Sequence, residues 1–366
     1  MKLECSAEKI KESISQVEKI ISKNSTLEAL NSVLITALKK SLMLRSTNLS
    51  LGIEIEIPGN IIEEGDILIP GNILNNTILN LSGEKIIKME QKENNLVLSN
   101  KNNSIILKSV PKDDFPTIPR VIDGNIFKIM SSDLVDGMKE VFYSASISDI
   151  KPEISSVCLY TNQNKIYFVA TDSFRLAEKS IKNDDNLEVE GILIPYKNVV
   201  EIIRIFSNLK EKVEVIYNKN QISFTSPGFY LTSRLIDGIF PDYNQIIPKE
   251  YKTSAIVLKN DIQNALKLSS VFADKFNQIT LNINPKDKKF EIYAENKDIG
   301  ENKTNLEGSL KGEEVKVNIN LKYLLDCFQS IKEDSISINL NGSNKPIIIK
   351  GNSDKSFQYL IMPMNR

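Results

Sequence analysis

The sequence predicts an α+β protein built from three tandem copies of one unit, and three observations predict it. A strand-then-helix signature recurs at fixed spacing: ILIPGNILNNTILNL starts at Ile67, ILIPYKNVVEIIRIF at Ile192 and VNINLKYLLDCFQSI at Val317, each 125 positions after the one before. The pair Phe115-Pro116 returns as Phe240-Pro241 at the same spacing, each followed by a proline-bearing stretch. Between the helical runs lie alternating segments with Asn, Gly and Asp breaks, the pattern of antiparallel hairpins.

Each unit opens on a short strand, MKLEC, NIFKIM or SAIVL, that runs into a helix. Ser6 and Ser132 read as N-caps. Glu8, Asp133 and Asp261 read as first-turn acids that complement the helix dipole. TNLSLGIEIEIP, KIYFVATDSFRLAEKS and KFEIYAENKDIGENKTNLEG then read as strands of hairpins. The second helix of each unit follows. Pro70 and Pro195 suit a first turn, and Asn320 replaces them in the third copy. Val199, Ile202, Ile203 and Phe206 mark the buried stripe of the middle one. The helix at 71–82 has no charge, whereas the one at 132–143 carries Asp133, Asp136 and Glu140 against Lys139 and is acidic. The expected domains are 1–121, 126–248 and 252–366, each an α+β layer structure.

Composition removes several function classes. The 366 residues suffice for two or three well-cored domains. With 46 basic against 47 acidic residues, there is no bulk basic signal, although charge segregated onto one face remains open. The absence of histidine excludes Ser-His-Asp and Cys-His nucleophile systems and His-containing zinc sites. Cys5, Cys158 and Cys327 form no Cys-x-x-Cys pair and read as small core hydrophobes of a reduced compartment. The charged start lacks the apolar core of a signal peptide, and Ile67 to Gly83, the longest charge-free run, is broken by four asparagines. A soluble, cytoplasmic protein is expected.

Three further segments carry a family resemblance: VATDSFRLA (Val169 to Ala177), LIDGIFPDYNQIIP (Leu235 to Pro248) and YLIMPMNR (Tyr359 to Arg366). In order and position they resemble the bacterial DNA polymerase III beta subunits, the sliding clamps, along the whole chain. The resemblance implies helices inside and antiparallel sheets outside, and a homodimeric ring of six similar domains. The ring would encircle double-stranded DNA without regard to sequence and tether the replicative polymerase as a processivity factor. No catalysis and no cofactor are implied. Two departures stand out. The family has Thr-Asp-Gly-His-Arg-Leu where this chain has Thr171-Asp172-Ser173-Phe174-Arg175-Leu176, and Met-Pro-Met-Arg-Leu where it ends Met362-Pro363-Met364-Asn365-Arg366.

The resemblance implies a groove for short peptides of polymerases, clamp loaders and other partners. It assigns Thr171, Arg175, Leu176, Pro241, Ile246, Asn320, Tyr323, Pro346, Met362, Pro363 and Met364 to the groove, with Lys151 and Ile154 beside it. The chemistry suits that use: methionine adapts to Leu or Phe anchors, and Asn320 and Arg175 offer donors to a peptide backbone. For DNA, the candidates are Lys23, Asn24, Lys197, Arg204 and Lys267, with Lys9, Lys19 and Lys275 as further basic positions on helices. A dimer seam between the edge strand holding Ile106 and the Val271-Phe272 region follows by family position alone. Two other readings stay open: a repeat adaptor that binds peptides without DNA, and an acid-base enzyme using Asp172 and Asp242 with Arg175 and Asp237. Against the enzyme, the aspartates sit where turns need them, and no phosphate loop accompanies them.

Overall fold

Period-two runs become ladders and period-3.6 runs become helices in the computed structural model, which describes residues 1–22, 25–81, 85–183 and 188–364. Six α-helices lie among these residues: α1 (Ala7–Glu18), α2 (Gly71–Asn80), α3 (Ser131–Lys139), α4 (Tyr196–Phe206), α5 (Lys259–Ser269) and α6 (Leu321–Cys327). The strands among them pair antiparallel. None of the helices is long and apolar enough to cross a membrane. The chain forms two compact units, Met1–Ser132 with Glu201–Leu235, and Asp133–Val200 with Ile236–Arg366.

Unit 1 is organised on one 12-stranded sheet. From the edge strand Ser104–Lys108 it runs through the first repeat to Leu51–Glu63, which pairs with Phe229–Arg234. It continues through Gln221–Ser226 and Lys212–Tyr217 to Asn125–Met130. Ile10, Ile14 and Val17 of α1 are fully buried, at the i, i+4, i+7 spacing of one helix face. That face packs on α2 and on the strands Ser41–Thr47 and Leu51–Glu63. The segment after Phe115-Pro116 lies across the sheet as a strap. Ile118 is buried so closely over Gly52 that a Cβ there would meet its Cγ2 at 2.9 Å. Tyr230 Oη donates to Pro119 O (2.9 Å) and accepts from Val121 N (3.0 Å), and the Arg120 guanidinium lies 4.0 Å over the Tyr230 ring.

Unit 2 holds a nine-stranded and a four-stranded sheet. In the larger, Arg175–Lys182 of the middle repeat pairs with Phe357–Ile361 of the third. In the smaller, Val315–Asn320 pairs with Gln278–Asn284 and leads into α6. Burial raises the thiol pKa values of Cys5 and Cys158 to about 12, in keeping with core roles.

Several local expectations shift. Ser6 occupies the N-cap position of α1, but its hydroxyl makes no cap bond. Ser132 lies inside α3, and Ser131, one residue earlier, donates its hydroxyl to Leu209 O (2.7 Å). Pro70 and Pro195 end strands and do not enter the helices, since a fixed φ and a missing N–H suit a strand end equally. Ile205 is fully buried in α4, where Ile203 is only half-buried. The helix expected at 132–143 stops at Lys139, and Glu140 is an interior residue and not part of an acidic exposed face. Its Oε2 lies 2.7 Å from Lys179 Nζ and its Oε1 3.1 Å from Lys332 Nζ, while Lys332 also reaches Asp136 at 3.1 Å. Desolvation is tolerable there because each carboxylate oxygen faces an ammonium group.

Candidate functional site

The groove residues cluster around one tight turn in unit 2. Strands Lys165–Thr171 and Arg175–Lys182 are joined by Asp172, Ser173 and Phe174. Asp172 Oδ1 accepts from Phe174 N (2.9 Å) and Arg175 N (3.0 Å), and Thr171 Oγ1 donates to Arg175 O (2.7 Å). Asp172 thus serves the turn, as its position suggests. Ser173 has φ 77°, the left-handed region that glycine occupies without strain. Ser173→Gly is therefore expected to raise the unfolding free energy by about 0.5–1 kcal/mol. Urea denaturation checks this, and a lower midpoint would contradict it.

Arg175 is held on three sides. Its Nε donates to Asp172 Oδ2 (3.0 Å), its Nη1 to Asp326 Oδ2, and its guanidinium carbon lies 4.5 Å from the centroid of the Tyr323 ring. Asn320 is equally committed. Its Oδ1 accepts from Lys322 N (2.9 Å) and Tyr323 N (3.3 Å) as the cap of α6, and its Nδ2 donates to Phe276 O (3.2 Å). Both residues shape the wall in which Tyr323 stands half-buried.

The apolar floor is a cluster of Cys158, Val169, Leu176, Leu193, Tyr243, Ile348 and Leu360, with Met362 packed against it. Leu176 and Ile154 are buried, so they form floor and support. Register pairs Ile347 with Ile361, which brings half-buried Pro346 opposite Met362 one step further on. Backbone bonds hold residues 362–364 in place: Met362 N donates to Phe174 O and Met364 N to Asn318 O, both at 2.8 Å. Pro363 between them is half-buried. Pro241 and Ile246 are exposed on a segment anchored by Tyr243, which Phe240 meets edge-on. Lys151 is exposed and begins the turn that carries Ile154.

A polar chain behind this floor carried no sequence signal. Tyr243 Oη donates to Glu178 Oε2 (2.5 Å) and lies 2.6 Å from Tyr160 Oη, while Gln358 Nε2 donates to Glu178 Oε1 (2.7 Å). Burial, then the neighbouring carboxylate, holds the Tyr243 phenol well above its ordinary range, and burial takes Tyr160 to about 12. Both therefore keep their protons at neutral pH and fasten the Pro241–Ile246 segment to strand Arg175–Lys182. Phe174, part of the departure from the family pattern in this turn, is 62% exposed beside the Met362 backbone. Asp242 takes a turn role, accepting from Asn244 N and Gln245 Nε2.

The basic candidates are exposed but mostly paired. Lys197, on α4, reaches Asp149 (2.9 Å), and Arg204, later on α4, reaches Glu201 (2.8 Å). Lys267 is exposed in the last turn of α5, and Lys9 is exposed on α1. Lys19, just past α1, donates to Arg204 O (3.4 Å). Lys275 lies 5.1 Å over the Phe276 ring. Lys23 and Asn24 fall outside the described residues. Ile106 is exposed on the edge strand of unit 1, and in unit 2 Val271 is exposed and Phe272 half-buried.

Comparison with known proteins gives consecutive matches. Models of the DNA polymerase III beta subunit match with their N-terminal domain at residues 1–119, their central domain at 128–242 and their C-terminal domain at 244–365. The beta sliding clamps of Staphylococcus aureus and Staphylococcus epidermidis are each 24% identical over 355 residues, covering 94% of this chain and 94% of the relative. Among solved structures, the DNA polymerase III beta subunit of Thermotoga maritima has a TM-score of 0.94 at 23% identity, covering 100% of this chain and 99% of its own. The DNA polymerase sliding clamp of Bacillus subtilis has a TM-score of 0.93 at 23% identity with the same coverage. Matched along nearly its whole length by all three domain models in order, the chain belongs to the DNA polymerase III beta subunit family.

Proposed function

We propose that the chain is a DNA sliding clamp of the cytoplasm, a non-catalytic processivity factor. Two copies close into a ring around duplex DNA, slide along it without regard to sequence, and tether the replicative polymerase. The observation that carries this reading is the succession of three beta-subunit domains along one chain. The functional domains are 1–121, 126–248 and 252–366. The exposed edge strand with Ile106 supports a seam with Val271 and Phe272 of a second copy, because an uncovered apolar edge invites pairing. Lys197, Arg204 and Lys267 meet phosphates, and the existing ion pairs of Lys197 and Arg204 keep that contact weak.

The groove in unit 2 receives short peptides of the polymerase, the clamp loader and other partners. Leu176, Met362 and the cluster beneath them take an apolar anchor. Arg175 and Asn320 act by placing Tyr323 and the turn. Removing Met362 to Arg366 is expected to abolish binding of a polymerase-derived peptide while the dimer persists. Tyr323→Ala is expected to weaken the same peptide by about 1–2 kcal/mol. Fluorescence anisotropy together with solution mass checks both, and unchanged peptide affinity in the truncated protein would refute the groove.

A further inference from the structure

The internal repeat reproduces the groove's framework at a second place, inside unit 1. Thr47 to Leu51 forms the same turn as Thr171 to Arg175, with every residue 124 positions earlier. Thr47 Oγ1 donates to Leu51 O (2.9 Å) and accepts from Leu49 N (3.0 Å), as Thr171 Oγ1 donates to Arg175 O (2.7 Å) and accepts from Ser173 N (3.2 Å). Asn48 Oδ1 accepts from Ser50 N (3.0 Å) and Leu51 N (2.8 Å) in the manner of Asp172. Leu49, with φ 71°, matches Ser173. The ladders that follow agree in register. Leu51, Ile53 and Ile55 face Ser233, Leu231 and Phe229, as Arg175, Ala177 and Lys179 face Ile361, Tyr359 and Phe357. Finally, Arg234 N donates to Ser50 O at 2.8 Å, and Met362 N donates to Phe174 O at 2.8 Å. Arg234 stands in unit 1 where Met362 stands in unit 2.

A cavity of about 290 Å³ opens at this place. The turn forms one wall, Thr117 and Pro119 of the strap another, and Gln221 with Thr232 to Arg234 the remainder. Its chemistry departs from the unit 2 groove, for threonine and serine hydroxyls and the Gln221 amide surround one charged group, Arg234, and no carboxylate contributes to the lining. A guanidinium with no carboxylate beside it in the lining favours an anion, and a carboxylate can take two parallel bonds from it.

We propose that this cavity is a second peptide groove, which binds an extended segment through an acidic side chain or a free C-terminal carboxylate. The proposal rests on reading the unit 2 groove as a peptide site, and it gives the two units distinct preferences, one apolar and one acidic.

The test uses the intact protein and two fluorescein-labelled peptides, Gly-Glu-Leu-Asp-Leu-Glu with a free carboxyl end and Gly-Ser-Leu-Ser-Leu-Phe amide. Affinity of the acidic peptide is expected to fall at least tenfold with Arg234→Glu, to recover largely with Arg234→Lys, and to be lost with Thr117→Trp, which fills the cavity from an exposed position. Deleting Met362 to Arg366 should leave it within twofold. The apolar peptide should respond the opposite way. No binding of the acidic peptide to the unaltered protein, or binding indifferent to both Arg234→Glu and Thr117→Trp, overturns the proposal. If the acidic peptide responds to Arg234→Glu while the apolar peptide ignores the deletion, the reading of unit 2 falls and the groove in unit 1 stands.

Discussion

Replacing Lys179 by methionine is expected to lower the unfolding free energy by about 3–5 kcal/mol, the cost of leaving a buried charge half-compensated. Glu140 and Lys179 keep only 6% and 9% of their side-chain surface exposed, and 2.7 Å separates their charged atoms. Without Lys179, Glu140 retains Lys332, whose side chain is 67% exposed and shared with Asp136. The contact of Lys179 Nζ with Ser356 Oγ (2.9 Å) is lost as well. Adding Glu140→Gln to Lys179→Met should restore most of the loss, because the stranded charge is then removed. Urea denaturation of the unaltered protein and both variants measures this, and a loss below about 1 kcal/mol for Lys179→Met alone would show that the pair behaves as a solvated one.

The second large effect is topological. A clamp that encloses DNA should survive on a closed circle under salt washes that strip a phosphate-bound protein, since escape requires ring opening. Linearising the circle should release it within the time needed to slide off an end. Lys197 and Arg204 already have carboxylate partners, so affinity for short linear duplex should be low and should fall steeply with salt. Changing both to alanine should lower linear binding and loading while barely altering the lifetime on a circle. Tight, sequence-dependent binding to linear duplex, or loss from circles in moderate salt, would show that contacts and not closure hold the DNA.

Much of the fold was legible because the signals were local and repeated. The period of 125 placed the second helices, and Asp172 marked a turn by the backbone bonds its side chain makes. The joining of repeats was not legible. Leu51–Glu63 and Phe229–Arg234 pair across more than a hundred intervening residues, and neither strand carries a mark that selects the other. In the site, the apolar residues were readable by type, but the confinement of Arg175 by Asp172, Asp326 and Tyr323 depends on side chains distant in sequence. Glu140 was misread for the same reason. A carboxylate near a helix end looks solvated until two lysines, one of them almost two hundred positions away, are found facing it.

The pairing of Leu51–Glu63 with Phe229–Arg234 sets a clock on synthesis. When Ser132 leaves the ribosome, the first repeat has every element of its own, yet the Leu51 to Ile55 edge that will receive residues 229–233 still has no partner there. About a hundred further residues must be made first, which takes roughly 5–20 s at ordinary elongation rates. Throughout that interval the nascent chain displays an open strand edge, the feature most prone to capture by another polypeptide. Slow or interrupted translation between codons 133 and 229 should therefore harm the yield of this protein more than the same delay placed after codon 235.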